Sequence, residues 1–309
     1  MKQIASLAAA ALIASVSAAE AGSAWTAAKS AVPKDTAVLV GIDLVQVSKS
    51  SLFQMAMPMM MGKSPELKDA LSTIKSACKM DPMQVVQNVV IATDADQEHG
   101  AIFFGVRGLD TPKMVSCMEA VAKEKGKKDA KVVAKQDGAI TELSVQGDSG
   151  MKTVYVSWIG KDVFVLPLQF DSKADLKAWT SGAKGLGKSK VARGAGKVNT
   201  SAAAWAVSGM PKDLDDTTKM KSGYASVTMK SGKLGADVHL QLESAAAAKA
   251  LADRTQQELN EAAAQTGVDP TIKAVLTSTR VAATGDVVAV SAAVAETDVF
   301  TLIGALLSK

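Results

Sequence analysis

The sequence predicts an α+β protein in which antiparallel sheets carry helices on one face and in which one structural unit occurs twice. Three observations support this fold class. Short apolar runs bounded by turn residues predict strands, longer stretches with apolar residues three or four positions apart predict helices, and one order of these elements recurs along the chain. Of the 309 residues, 48% are apolar and 21% charged, which is typical of a folded protein with a sizeable core.

The first half of the chain begins with a predicted strand and continues with helices and further strands. Pro65 to Cys78 has apolar residues at helical spacing. Asp81-Pro82 starts a short helix, because Asp is a good N-cap and Pro suits the first helical turn. Asp110 to Lys125 and Lys173 to Thr180 are also predicted helices. The predicted strands are Asp35 to Leu44, Asn88 to Thr93, Ala101 to Arg107, Lys131 to Lys135, Ile140 to Gln146, Thr153 to Ile159 and Val163 to Gln169.

The second half repeats part of this order. In the first half, a helix is followed by Met80-Asp81-Pro82, a short helix, two strands and another helix. In the second half, a helix is followed by Val268-Asp269-Pro270 and the same succession of elements. Similar order at low residue identity predicts a duplicated α+β unit. The predicted elements here are Ala203 to Val207, the hairpin of Tyr224 to Met229 with Leu234 to Leu242, the helix Ala245 to Gln265, the strands Thr279 to Thr284 and Val287 to Val294, and the helix Glu296 to Leu307.

Changes in composition divide the chain into domains. Residues 182–200 hold five Gly and five Lys or Arg with little apolar content, which predicts a flexible linker or surface loop. We therefore expect an N-terminal α+β unit over residues 22–181 and a C-terminal α+β unit over residues 201–309.

The first 21 residues have the pattern of a secretory signal peptide. Lys2 precedes an uncharged apolar run from Ile4 to Val16, and small residues end in Ala19-Glu20-Ala21. Cleavage is predicted after Ala21, with Ala19 as the alternative. A membrane anchor needs about 20 apolar residues, and this run is shorter. The mature protein is therefore expected to be soluble and exported, periplasmic or extracellular in a bacterium.

Export makes the two cysteines, Cys78 and Cys117, candidates for a disulfide, because oxidising compartments favour disulfide formation. Two buried thiols are the alternative. A metal pair has less support, since neither cysteine has a His nearby in sequence.

The composition also lowers the expectation of several binding functions. Aromatic residues make up 4% of the chain, so few rings are present to stack on sugars, bases or flat cofactors. The chain has 31 Lys and only four Arg, and Arg is the residue that recognises phosphates and base edges in fixed geometry. We expect a solvated basic surface, no nucleic-acid partner and no cofactor.

Three motifs resemble catalytic or metal-binding signatures, and a structural interpretation is favoured for each. Gly182 to Ser189 matches the P-loop pattern, but it lacks the preceding strand and the following helix that a phosphate site needs. Gly147 to Gly150 reads GDSG, and neither His99 nor His239 has the sequence context of a protease base. The turn Asp94 to His99 lacks the glycine and the terminal Glu of a calcium loop. No catalytic residue and no metal ligand is assigned.

A cluster of methionines is the remaining candidate for function: Met55, Met57, Met59, Met60 and Met61. Methionine serves as flexible core filler, as an adaptable apolar surface for a partner or lipid, or as a soft ligand for Cu(I). Pro58 predicts a break in any helix here and hence an irregular lip.

Parts of the first 120 residues resemble a known group of proteins. The Trp25 to Leu44 stretch, the C-x-x-D-P of Cys78 to Pro82 and the helix carrying Cys117 are similar to those of exported proteins of myxobacteria and their relatives. The resemblance implies an envelope location, no known activity and no catalytic residue.

These observations together predict a noncatalytic exported binding or structural protein of the bacterial envelope. One alternative is a carrier for Cu(I) or a small apolar ligand through the methionine cluster. Another is a hydrolase whose site is assembled from Asp, Glu and Ser scattered in sequence. Convergent carboxylates in a deep cleft would favour the hydrolase, whereas an apolar cleft containing Met would favour the carrier.

Overall fold

The computed structural model describes residues 22–126, 129–147, 150–181, 185–214 and 218–299, and it confirms the α+β class. The helices in chain order are α1 (Ser23–Ala31), α2 (Leu44–Val47), α3 (Ser51–Lys63), α4 (Pro65–Cys78), α5 (Pro82–Val85), α6 (Thr111–Glu124), α7 (Lys173–Thr180), α8 (Ala192–Ala195), α9 (Ala245–Ala264) and α10 (Pro270–Ser278), with a 3-10 helix at Gly185–Lys188. Residues 296–299 are also helical.

The strands are β1 (Val38–Asp43), β2 (Val86–Thr93), β3 (Gly100–Val106), β4 (Lys131–Asp137), β5 (Ile140–Gly147), β6 (Gly150–Ile159), β7 (Val163–Pro167), β8 (Ala204–Ser208), β9 (Lys212–Asp213), β10 (Lys219–Lys230), β11 (Lys233–Leu242), β12 (Arg280–Thr284) and β13 (Val287–Ala295).

The chain forms two compact units, whose bounds differ from the domains predicted above. The first unit contains Ala21–Val45 and Met57–Ser189, and the second contains Gln46–Ala56 and Lys190–Lys309. Residues 46–56 join the second unit through contacts between positions distant in sequence. Leu52, for example, packs in a buried cluster with Val227, Met229, Leu234 and Val299.

The first unit is an antiparallel sheet with the strand order β1-β2-β3-β7-β6-β5-β4. Helix α1 packs on β2 and β3, and α7 packs on β3, β6 and β7. The backbone N–H of Ala24 in α1 donates a 2.8 Å hydrogen bond to Asn88 Oδ1. Leu39, Val90, Phe103 and Val165 point to this helical side and are almost fully buried.

The second unit is also built on an antiparallel sheet, with the order β12-β13-β11-β10-β8 and with β9 beside β10. Helix α9 packs on β11, β12 and β13 because its apolar side is Ala- and Leu-rich. The buried cluster between helix and sheet contains Met220, Leu242, Ala248, Leu251, Ala252 and Val288.

The recurring element order is present in the structure, but the two hairpins sit differently in their sheets. In the first unit the hairpin's first strand, β2, pairs with β1. In the second unit the hairpin's second strand, β13, pairs with β11, and β12 is the outermost strand. The duplication therefore stays a prediction.

The predicted break at Pro58 is wrong, since α3 runs through this residue. Proline removes one intrahelical hydrogen bond, and a helix interior can continue past that loss at a cost in stability.

Residues 185–200 also pack more closely than the predicted linker: Leu186, Val191 and Val198 are buried. A β-carbon on Gly185 would come within 2.4 Å of the Pro33 backbone carbon, so the chain here lies directly on the residues after α1.

Within the described ranges, no helix has the length and apolarity needed to cross a membrane.

Candidate ligand-binding site

A disulfide joins two helices that border a cleft in the first unit. Cys78 at the end of α4 is bonded to Cys117 in α6, with the two Cα atoms 4.7 Å apart. The helices pack along each other, and further contacts lie beyond the disulfide. Ser76 Oγ donates a 2.7 Å hydrogen bond to Glu124 Oε1, and Lys125 forms an ion pair with Asp69. These pairs show that α4 and α6 run antiparallel, and the disulfide predicted from the sequence is present.

The cleft lies at one end of this helix pair, where local sequence signals end α4 and start α5 and α6. Lys79 ends α4 in the left-handed conformation, at φ 55°. The Asp81 carboxylate then accepts a hydrogen bond from Met83 N at 3.1 Å and starts α5. Asp110 starts α6 in the same manner, accepting from Lys113 N at 2.9 Å. Both Asp residues satisfy backbone N–H groups that a helix start would otherwise leave unpaired.

The cleft is open to solvent on one side, has a volume of about 560 Å³ and has a mostly apolar lining. Lys113 and Ser116 contribute its polar side chains. The lining residues are Ala77, Cys78, Met80, Val85, Gly108, Pro112, Lys113, Ser116 and Cys117. This arrangement suits an apolar molecule with one polar or charged end.

Lys113 is one of the lining residues of the cleft, and its side chain is 56% exposed. Lys113 Nζ donates a 2.7 Å hydrogen bond to the Gly108 carbonyl oxygen. Its distance to Asp110 Oδ2 is 3.9 Å, beyond hydrogen-bonding range. Gly108 itself has φ +73°, a backbone conformation that favours glycine. An ammonium group carries three donors, so the carbonyl leaves two that can take a ligand.

The first unit also has an apolar surface on the side of its sheet away from α1 and α7. Two rows of apolar side chains cross the strands here, one Val40-Ile91-Ile102-Leu166 and the other Ile42-Val89-Phe104-Phe164-Trp158. We call these two rows the apolar sheet face. All nine residues are half-buried, in contrast to the buried residues of the opposite side.

Aromatic contacts hold one end of the apolar sheet face. The rings of Phe104 and Phe164 are stacked with centroids 4.6 Å apart, and Trp158 lies 5.7 Å from Phe164. Trp158 Nε1 is buried and has no hydrogen-bond partner. A buried N–H without a partner carries a desolvation cost that the packed rings must offset.

The methionine cluster lies on α3, and none of its five residues is buried. Met55 and Met60 are each 37% exposed, whereas Met57, Met59 and Met61 are half-buried. Residues three and four positions apart share one side of a helix. The helix therefore brings Met57, Met60 and Met61 together on one side, although the sequence predicted an irregular lip.

The two histidines have separate structural contacts. His99 Nδ1 lies 3.1 Å from Asp175 in an exposed pair, and this hydrogen bond together with the Asp175 charge raises the pKa of His99. The His239 ring stacks on Tyr224 with centroids 4.5 Å apart, and burial raises the pKa of Tyr224. Groups of three or more His, Cys, Asp or Glu that could hold a metal ion are absent from the part of the chain that the structure describes.

The other motifs have structural contacts where they are described. Gly147 pairs with Gly150 at the end of the β5–β6 hairpin, and Asp148 and Ser149 lie outside the described residues. Residues 182–184 of the P-loop pattern are also outside them; Gly185–Lys188 form a 3-10 helix, not the start of an α-helix. In the turn Asp94 to His99, Asp94 N donates to the His99 carbonyl oxygen at 3.0 Å and closes the β2–β3 hairpin.

The carboxyl groups with displaced pKa values do not line the cleft. Lys173 Nζ lies 2.7 Å from Asp137 Oδ2 and lowers the pKa of Asp137 by hydrogen bonding and by its charge. A hydrogen bond from Gln241 Nε2 lowers the pKa of Asp286.

Sequence reasoning missed the cleft and the apolar sheet face. The C-x-x-D-P motif indicates where α4 ends and α5 begins, but nothing in it predicts that Val85, Gly108 and Pro112 line one cleft. A signal for the apolar sheet face was present: β2 and β3 read VQNVVIAT and GAIFFGV, apolar at successive positions. Strands of this type have two apolar sides.

No family model matches the chain, and no curated protein matches it. Among solved structures, crystal form I of TP0453 is similar with a TM-score of 0.47 and 9% sequence identity, covering 91% of this chain and 97% of that chain. Crystal form III of TP0453 is similar with a TM-score of 0.45 and 8% identity, covering 90% and 97%. Similarity of this degree does not define a family.

Proposed function

We propose that the protein is a noncatalytic, exported protein of the bacterial envelope that binds a small apolar ligand in the cleft between α4 and α6. The observation that carries this proposal is the apolar lining of a cleft of about 560 Å³. Small-molecule sites have volumes of about 300–1,000 Å³ and mostly apolar linings with a few polar groups. Met80 adds a flexible, polarisable side chain that adapts to a ligand's shape.

The lining supports binding more than hydrolysis. A hydrolase needs a nucleophile or a water activated by a base such as His, Asp or Glu. Ser116 and Lys113 are the polar side chains of this cleft. Among the residues that the structure describes, neither is hydrogen-bonded to a His, Asp or Glu side chain, and Asp110 is 3.9 Å from Lys113. The carboxylates with perturbed pKa values lie elsewhere, in contacts with Lys173 and Gln241.

Two observations support export. Residues 1–21 have the signal-peptide pattern, and the Cys78–Cys117 disulfide is of the kind that persists in oxidising compartments. On this basis we also propose that the chain is related to the exported proteins of myxobacteria that its first 120 residues resemble.

Binding of Nile red, an uncharged apolar dye, tests the function directly. Ser116→Phe introduces a large ring into the cleft from an exposed position on α6. We expect it to weaken dye binding about tenfold, because the ring occupies the apolar volume. Ser72→Phe is the matched control, since Ser72 is exposed on α4 and does not line the cleft.

Two results of the fluorescence titration would contradict the proposed function. A wild-type protein that does not bind the dye contradicts the proposed function. Equal affinity in the wild type and in Ser116→Phe places any dye binding outside this cleft and also contradicts it.

A second candidate function is Cu(I) binding, because α3 places Met57, Met60 and Met61 on one side of a helix. Thioether sulfur is a soft ligand that suits Cu(I). We expect competition with a chromogenic Cu(I) chelator to show binding that is lost when these residues become Leu, which preserves their apolar volume. Loss is also expected when Met55, Met57 and Met59 become Leu, since Met57 is common to both sets. Unchanged affinity in both variants eliminates this function.

A further inference from the structure

We propose that the ligand of the cleft is a medium-chain fatty acid, with its acyl chain on the apolar lining and its carboxylate at the Lys113 ammonium group. This inference rests on the proposed function, because it names the ligand class of the same site. It makes the additional claim that the ligand carries a negative charge at one end.

The apolar lining accounts for the acyl chain. Ala77, Met80, Val85 and Pro112 contribute carbon and thioether surfaces, and the disulfide adds two polarisable sulfur atoms. An unbranched alkyl chain makes no directional bonds, so a mixed surface of methyl, methylene and sulfur groups can hold it. A ligand rich in hydroxyl groups would leave those groups without partners on this lining.

The position of Lys113 accounts for the carboxylate. Lys113 is the positively charged residue of the lining. It lies on the first turn of α6, one turn before Cys117. Its ammonium nitrogen is hydrogen-bonded to an uncharged carbonyl, that of Gly108, at 2.7 Å. Asp110, the nearby carboxylate, is 3.9 Å away and about half-exposed, so solvent weakens its attraction for the ammonium.

Charge complementarity selects an anionic ligand over a neutral one of the same length. A hydrogen bond between an ammonium and a carboxylate is stronger than one between neutral groups, and the apolar wall of the cleft reduces solvent screening on one side. A fatty alcohol can fill the same apolar volume, but it offers Lys113 only a hydroxyl oxygen. The difference in affinity between acid and alcohol therefore measures the contribution of Lys113.

The disulfide holds the two walls of the site together. Cys78 and Cys117 line the cleft themselves, and their bond fixes the end of α4 against α6. The test is therefore made on the full, oxidised chain.

Displacement of bound Nile red by dodecanoate and by 1-dodecanol distinguishes the two parts of the proposal. We expect the wild type to bind dodecanoate about tenfold more tightly than 1-dodecanol, the size expected for a charge-assisted hydrogen bond at a partly exposed site. Lys113→Gln is expected to remove most of this preference, because it lowers the affinity for dodecanoate much more than the affinity for 1-dodecanol. Lys123→Gln is the matched control, because it removes the same charge from an exposed position of α6 outside the cleft.

Each contrary outcome points to a different failure. If Lys113→Gln retains the preference for dodecanoate, the assignment of Lys113 is wrong while the proposed function still stands. If the wild type binds 1-dodecanol as tightly as dodecanoate, or binds dodecyl phosphate in preference to dodecanoate, the fatty-acid assignment is overturned. If neither the dye nor any of the three amphiphiles binds, the proposed function itself fails.

Discussion

His99 forms an exposed contact with Asp175 whose strength depends on pH. The hydrogen bond to Asp175 and the negative charge of that residue raise the pKa of His99 above its ordinary value of 6.5. A group whose pKa is raised by folding stabilises the folded state below its unfolded pKa, and this contribution disappears as the pH rises through the folded pKa. The contact is therefore fully stabilising in mild acid and is lost in mild base.

We expect His99→Gln to lower the free energy of unfolding more at about pH 5.5 than at about pH 8.5. Urea unfolding of the variant and the wild type at both pH values measures the difference. Asp175→Asn is the partner control, because it removes the charge that raises the pKa of His99 and should remove the same pH dependence. An equal effect of His99→Gln at the two pH values would show that this contact has no protonation-linked role.

At the scale of secondary-structure elements, the disulfide joins α4 and α6 across 39 positions of sequence. Closing a loop of about 40 residues stabilises a folded chain by about 4 kcal/mol when the entropy of the unfolded chain is the main term. We expect the double variant Cys78→Ala with Cys117→Ala to lose a free energy of unfolding of this order in denaturant titration. The reduced wild type should lose a similar amount, and a loss below about 1 kcal/mol in both would contradict the loop-closure account.

Helix side chains protect the outer strand of each sheet. Glu119 of α6 accepts a 3.1 Å hydrogen bond from Val132 N in β4, and Gln256 of α9 accepts a 3.0 Å hydrogen bond from Val281 N in β12. Unpaired N–H groups on an outer strand can pair with another chain. Val133, next to the first of these sites, is 49% exposed and would add an apolar contact to such pairing.

Glu119→Ala is accordingly expected to increase self-association, measured by light scattering at rising protein concentration, because it frees the Val132 N–H beside Val133. Glu124→Ala serves as the control; it removes the same charge from α6 but loses a hydrogen bond to Ser76 in α4. Equal scattering from the two variants would mean that charge, and not the freed N–H, governs association.

Sequence patterns located most elements because the signals for them are local. The bounds of α4 and α7 were predicted to the residue, and their first turns show why: Pro65 starts α4, and Ser172 caps α7 by accepting a hydrogen bond from Asp175 N. Local sequence signals did not predict that helix α3 continues through Pro58. Leu52 N donates to the buried Glu296 carboxylate at 3.2 Å, which fixes the start of α3 from a position 244 residues away.

At the scale of the whole molecule, the sequence predicts which elements exist better than it predicts how they are ordered in a sheet. Asp81 and Asp269 both cap a short helix that begins with proline, as the repeated D-P motif predicts. Strand order depends on long-range pairing, and β2 and β13 take different places in their hairpins. The cleft also depends on long-range contacts, because α5, α6 and the end of α4 come together only in the folded chain. Residue types predicted a noncatalytic binding or structural protein, with an apolar-ligand carrier as one alternative. That alternative was based on the methionines of α3 and not on Lys113.

Export makes a prediction about the mature chain that the structure constrains. Helix α1 begins at Ser23, and its residues Ala24 and Ala28 are fully buried. Cleavage within α1 would remove part of the core, whereas cleavage after Ala21 or after Ala19 leaves the helix whole. We therefore expect intact mass spectrometry of the protein from its own envelope fraction to give a chain starting at Gly22, or else at Glu20.

The same mass spectrum should also show a mass that is lower by two hydrogens, the change that one disulfide produces, because an oxidising compartment keeps Cys78 and Cys117 joined. A chain that retains Met1 and carries two free thiols would contradict both the signal-peptide assignment and the envelope location, since the two readouts depend on the same export step.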